Sequence, residues 1–179
     1  SSHGGIKPKY DDKIAAFVPG GFAPTQFGAG AAMGTFGFAA AIAEGSKAGA
    51  SAAAVAGFGK TRPVLAPEHI SDRSYAIVPV WNASSGGKGK AFVDYQNDVT
   101  TKDVKIAHQE GYESVEHLKR YTTLGMGTDQ GKTSNINALA LMAGHRGIDL
   151  PEAGTTTFRP PYAPLTMGAI AGRSVGHHF

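Results

Sequence analysis

Cysteine is missing from all 179 residues, which removes disulfides, thiolate nucleophiles and every thiolate-held metal or iron–sulfur centre from the possible chemistries. Charge is sparse as well. Asp, Glu, Lys and Arg together make up only 17% of the chain, little for a freely solvated surface and suited to a chain that partners cover. The net charge of +3 is scattered, and without a block of like charges or an RNA-recognition signature the chain lacks the footprint of a nucleic-acid binder. No apolar run reaches the roughly 18 residues that a membrane-spanning helix needs. The alanine-rich stretch 29–56 is interrupted by Gly34, Gly37, Glu44, Gly45, Lys47 and Gly49. None of the seven histidines forms the paired spacing of a zinc helix, and no metal site is expected.

Glycine is what the chain has in excess: 25 residues, beside 10 prolines. Each glycine ordered on folding costs backbone entropy without adding a side chain to pack, so an isolated chain of this composition is expected to be marginally stable. Its length accommodates one or two small domains.

Residues 1–58 read as the closing part of an α/β dinucleotide-binding domain. Ala15 to Val18 is a short apolar run and Pro19-Gly20-Gly21 a turn, after which Thr25 to Phe27 approaches Gly28-Ala-Gly30-Ala-Ala-Met-Gly34. That spacing is a variant of the glycine fingerprint that lets backbone approach a pyrophosphate, weak as a signal in so glycine-rich a segment. A helix is expected from about Met33 toward Ala56, kinked or ended at Gly45. Glu44 comes too early to be the acidic ribose ligand and is expected to be solvated.

Residues 59–91 read as a linker followed by an edge strand over 74–81, edge because Pro79 cannot donate to a ladder. Residues 92–150 read as a three-helix unit. Thr100 and Asp103 form a capping box, with Val99 and Val104 as its hydrophobic staple, and that helix should end at Gly111. A second helix covers Ser114 to Tyr121. A third spans Lys132 to Gly144, with Ile136, Leu139, Ala140 and Ala143 inward. Residues 151–179 are an extended, proline-punctuated arm.

Between the last two helices lies the densest motif, Lys119-Arg-Tyr-Thr-Thr-Leu-Gly-Met-Gly-Thr-Asp-Gln-Gly-Lys-Thr-Ser-Asn135. Gly125, Gly127 and Gly131 permit positive φ or close backbone approach, and a helix opening near Lys132 would aim free N–H groups at an anion. It is not a Walker loop, since Met126 stands where the first glycine should be.

That run, preceded by Lys90-Ala-Phe-Val-Asp-Tyr-Gln-Asn-Asp-Val-Thr100 and followed by Gly154-Thr-Thr-Thr-Phe-Arg-Pro-Pro-Tyr-Ala-Pro164, resembles the middle of the alpha subunit of heterotetrameric sarcosine oxidase. The resemblance implies an α+β piece of a several-fold longer, cytoplasmic subunit. It would act only in assembly with beta, gamma and delta subunits and the rest of the alpha chain, with no nucleic acid or membrane partner.

By the same resemblance, Ala29, Gly30, Gly34 and Thr35 would lie near NAD. The helical unit is similar to the bacterioferritin-associated ferredoxin type, whose cluster positions are here Asp94, Gln96, Asp129 and Ser134. Relieved of a cluster, its loop would form one wall of an FMN site between alpha and beta, through Arg120, Thr122, Thr123, Thr128, Gln130 and Lys132. FAD would sit in beta and tetrahydrofolate in a part of alpha beyond this chain. The family's activity is oxidative demethylation of sarcosine. The alpha subunits of proline, opine or cyanide-forming dehydrogenases are alternatives, as is a noncatalytic protein-interaction module.

Overall fold

The computed structural model describes residues 4–59, 64, 76–83, 87–160 and 162–176. The chain is mixed α/β and divides into two compact units, residues 1–80 and 81–179.

In the first unit, β1 (Lys9–Asp11) pairs antiparallel with β2 (Ala16–Val18), Tyr10 opposite Phe17. Their rings meet edge-on at 5.1 Å, a favourable cross-strand aromatic pair. The connecting turn is fixed by Asp11, whose Oδ1 accepts the Lys13 N–H at 2.9 Å. A single 3-10 turn over Gly30–Met33 follows and is closed by Gly34 at φ 83°. A side chain at Gly34 would strike Ile14 and Val18, so glycine is required there on two counts.

Helix α1 (Phe38–Val55) starts later than expected and runs straight through Gly45 without ending. Its many alanines offset the glycine cost of about 1 kcal/mol. None of its residues is fully buried. The strand expected over 74–81 is not formed in its described part, residues 76–81. Only the Ile77 N–H reaches back, to the Lys13 carbonyl at 3.3 Å. Pro79 lacks a donor, and Val78 and Val80 stay largely exposed, so β propensity found no layer to bury against.

The second unit opens with a bulged ladder, β3 (Phe92–Asp94) against β4 (Val99–Thr100). Helix α2 (Thr101–Gln109) begins on the expected capping box, with the Thr100 N–H donating to Asp103 Oδ2 at 2.8 Å and the Asp103 N–H to Thr100 Oγ1 at 3.4 Å. It ends where Gly111 turns to φ 88°. Helix α3 (Val115–Thr122) is capped by Ser114, and α4 (Asn135–Arg146) ends at Gly147 in the left-handed region. Two short helices follow, α5 (Leu150–Ala153) and α6 (Met167–Ala171).

Val93, Val99, Val104, Ala107, Leu118, Leu124, Ala138 and Met142 form the core. A second cluster joins Val115, Leu139, Ala143 and Ala153. The buried stripe of α4 is Asn135, Ala138, Leu139, Met142 and Ala143. Leu139 and Ala143 are as expected, but Ile136 and Ala140 are only half-buried, because the stripe is rotated to bring Asn135 inside.

Candidate functional site

The loop between α3 and α4 is held by side chains that fill the space its glycines leave open. Asp94, almost fully buried, accepts the Gly125 N–H on Oδ2 at 2.7 Å and the Gln96 N–H on Oδ1 at 2.9 Å. Gln96 lies against Gly127 and takes the Thr128 hydroxyl at 3.1 Å. Asn135 sits between Gly125 and Gly131, where any Cβ would collide with its carboxamide. Its Nδ2 donates to the Thr156 hydroxyl at 3.0 Å and to the Gln130 carbonyl at 3.3 Å.

Helix α4 begins at Asn135 rather than Lys132, and the N–H groups before it are used within the loop. The Gly131 N–H goes to Asp129 Oδ1 at 3.0 Å, and the Ser134 and Asn135 N–H groups go to the Gly131 carbonyl. The Gly131 N–H and the Thr133 hydroxyl hold the Asp129 carboxyl below its ordinary pKa against the opposing effect of desolvation. The expected fan of free N–H donors is therefore not what this loop presents.

Cations line the cleft instead. A half-open cavity of about 470 Å³ is bounded by Glu116, Lys119, Arg120, Gly125, Met126, Gly127, Thr128, Gln130, Arg159 and Pro164. Lys119 is 8% exposed, and its ammonium has one hydrogen bond, to the Thr157 carbonyl at 3.3 Å. An ammonium has three donors, so a buried one with a single partner favours a further acceptor. Glu116 takes the Thr157 N–H at 2.7 Å and Arg120 Nη1 at 2.8 Å. Burial works to raise the Glu116 pKa, but the Thr157 and Arg120 hydrogen bonds and the nearby cations outweigh it and lower it.

The arm closes one side. Gln130 Nε2 donates to the Arg159 carbonyl at 2.7 Å, while the Arg159 N–H donates to Gln130 Oε1 at 2.8 Å. Lys132 donates to the Tyr162 carbonyl at 2.9 Å and lies 4.0 Å from the centre of its ring.

Of the six loop residues expected at a cofactor, Arg120, Thr128 and Gln130 line this cleft. Lys132 anchors the arm. Thr122 borders a separate hollow of about 420 Å³ with Asn97, Asp103 and Tyr121; its hydroxyl donates to the Leu118 carbonyl at 2.7 Å and accepts the Leu124 N–H at 3.2 Å. Thr123 adopts φ 62° as the C-cap of α3. Sequence reasoning missed Lys119 and Glu116 as lining residues. The i, i+4 spacing of Glu116 and Arg120 was legible, whereas the burial of Lys119 depends on an arm 38 residues away.

In the first unit, Ala29 is extended at φ −155° and leads into the 3-10 turn, Gly30 has φ 67° and Gly34 φ 83°. The Thr35 N–H donates to the Gly30 carbonyl at 3.1 Å. Glu44, expected from sequence to be solvated, is half-buried and accepts the Gly30 N–H at 2.9 Å and the Thr35 hydroxyl at 2.6 Å. Those two bonds, the Thr35 hydroxyl foremost, lower its pKa.

Residues 88–173 match the sarcosine oxidase A3 domain family. Sarcosine oxidase subunit alpha of Rhizobium meliloti (strain 1021) is 45% identical to the chain over 179 residues, which cover 99% of it and 18% of that subunit. The chain belongs to the sarcosine oxidase alpha-subunit family. The corresponding subunit of Corynebacterium sp. (strain P-1) is 42% identical over 93% of the chain and 18% of that subunit. The chain therefore spans about a fifth of the curated relatives it matches. In fold it is similar to the crystal structure of L-proline dehydrogenase from P. horikoshii, with a TM-score of 0.67 and 22% identity over 96% of this chain and 36% of that one.

Within this sarcosine oxidase A3 unit, the four positions that would ligate a cluster carry no thiolate. Asp94, Gln96 and Asp129 are engaged in loop hydrogen bonds, and the buried Ser134 hydroxyl has no protein partner. They do not fit an iron–sulfur centre, whose ligands must be soft. Among the described residues no three His, Cys, Asp or Glu side chains group as a metal seat. No helix among those residues is long and apolar enough to cross a membrane.

Proposed function

We propose that this chain is a segment of the alpha subunit of a sarcosine-oxidising flavoenzyme, and that its A3 cleft is the alpha-side wall of an FMN site shared with a beta subunit. Identity to sarcosine oxidase alpha subunits along nearly the whole chain supports the first half. The under-partnered, buried Lys119 beside Arg120 and Arg159 carries the second. A flavin phosphate is dianionic and takes charge-assisted hydrogen bonds. Lys119 offers free donors, whereas Arg120 is partly occupied by Glu116. Thr128 and Gln130 border the same cavity and suit the polar edge of an isoalloxazine ring. Bound there, flavin would supply the one- and two-electron chemistry by which electrons from amine oxidation reach oxygen. This chain's residues would seat the phosphate and shield one face from water.

The first unit is assigned as the last turn and helix of a dinucleotide-binding domain, with Ala29, Gly30, Gly34 and Thr35 at NAD. The helical unit is assigned as a ferredoxin-type module that has lost its cluster. FAD in beta, tetrahydrofolate in another part of alpha, gamma and delta partners and a cytoplasmic location complete the reading.

The test is to assemble the full-length alpha subunit with its partner subunits and compare wild type with Lys119→Ala. Flavin that stays with protein after denaturation, and sarcosine-dependent oxygen uptake, should both fall in the variant. Wild-type FMN content and turnover in Lys119→Ala would place the FMN elsewhere.

A further inference from the structure

Glu44 stands on α1, 14 residues beyond the glycine turn, and its carboxylate is used inside the fold. Oε2 accepts the Gly30 N–H at 2.9 Å and Oε1 the Thr35 hydroxyl at 2.6 Å. A glycine turn that grips a phosphate does so with free N–H groups and hydroxyl protons. Here one of each is already given to an anion that the chain carries itself. An ionised carboxylate can only accept, so the Thr35 proton lies toward Glu44. What the half-buried Thr35 has left to offer a ligand is the lone pairs of Oγ1.

We infer that Glu44 sets the hydrogen-bonding polarity of this turn, making Thr35 an acceptor for an O–H or N–H group of the dinucleotide, a ribose hydroxyl or the carboxamide, and not a donor to its phosphates. The inference rests on the NAD reading above. It assigns to Glu44 a positioning role: it orients Thr35 and pins Gly30 without touching the ligand. A phosphate brought to the same turn would meet a fixed negative charge behind two donors already in use, which adds like-charge repulsion to the missing bonds.

A double-mutant cycle on NAD affinity in the fully assembled enzyme tests this. Thr35→Val removes the acceptor and should weaken NAD roughly three- to tenfold, the range of one hydrogen bond. Thr35→Ser keeps the hydroxyl and should bind as wild type. In Glu44→Gln the carboxamide can point its NH2 at Thr35 Oγ1, using its lone pair and turning its proton outward, so NAD should weaken by a similar factor. The double variant Glu44→Gln/Thr35→Val should be no weaker than either single one. FMN content, set in the other unit, should stay at the wild-type level in all four and reports intact assembly.

Full NAD affinity in Glu44→Gln alongside a weakened Thr35→Val would overturn the polarity inference while leaving the NAD reading in place. Independent, additive losses would overturn it too. No NAD binding by wild type would remove the NAD reading and, with it, the role given to Glu44.

Discussion

Asp94→Asn changes one oxygen to an NH2 and should release the loop between α3 and α4. The carboxylate accepts three N–H groups: Gly125 at 2.7 Å, Gln96 at 2.9 Å and Asn97 at 3.4 Å. Asparagine has one acceptor oxygen. Whichever way the amide lies, its NH2 faces either the buried Gly125 N–H or the Gln96 and Asn97 pair. A buried donor left without a partner costs about 1–3 kcal/mol, and the Gly125 bond spans 31 residues, joining β3 to the loop. A loss of about 2–3 kcal/mol corresponds to roughly 30- to 150-fold in the local opening constant. Hydrogen exchange of the Gly125 amide reads this directly, with Ala107 in the core of α2 as an internal reference. Protection at Gly125 should fall by that factor while Ala107 changes less. Equal protection in wild type and Asp94→Asn would refute the idea that this carboxylate holds the loop.

Gly131→Ala should destabilise the chain by about 2–4 kcal/mol in denaturant unfolding, from the left-handed φ of 75° and the displacement of Asn135 from Thr156 and Gln130. Gly144→Ala, in open space within α4, should instead stabilise by about 0.5–1 kcal/mol; equal effects at the two sites would contradict the assignment of Asn135 to the glycine pocket. Desolvation, followed by His108 and Lys105, holds the His145 pKa below 6.5, and its ring stacks on His108 at 5.8 Å. The fold thus prefers the neutral ring, so its contribution is fully present above about pH 6.5 and is lost as pH falls through the lower folded value. Melting temperature should drop on acidification from about pH 7.5 to 5.5, and less steeply in His145→Gln; identical slopes would exclude this pair as a source of the loss.

What could be read in the sequence was local. Thr100 and Asp103 are three residues apart, and their reciprocal bonds need nothing beyond the first turn of α2, so the cap and its Val99–Val104 staple were legible. Gly111 as a helix stop belongs to the same category, whereas α4 runs past the Gly144 expected to end it and stops at Arg146. The opening of α4 was read three residues early because the Asp129–Gly131 turn satisfies the backbone before an α-helical turn is made. The strand over 74–81 was read from β-branched composition, but composition cannot say whether a neighbouring layer exists. Glu44 was placed in solvent because its acceptor role exists only once the 3-10 turn folds over α1.

The glycines of the α3–α4 loop show why the cleft itself was only half legible. Their density pointed to an anion held by backbone N–H groups. In the folded chain the space above Gly125 and Gly131 belongs to Asn135, and that beside Gly127 to Gln96. These are side chains at or next to the positions where the resembled ferredoxin type would carry ligands. With thiolates absent, hydrogen-bonding groups fill the interior of the loop and preserve its tight path. Positive charge must then come from outside that path. It is supplied by Lys119 on α3 and Arg159 on the arm, which approach the same cavity from separate elements. On the proposed reading, loop shape and anion affinity are thus divided between different residues. Loop substitutions such as Asp94→Asn should therefore act first on stability, and cation substitutions such as Lys119→Ala first on ligand content.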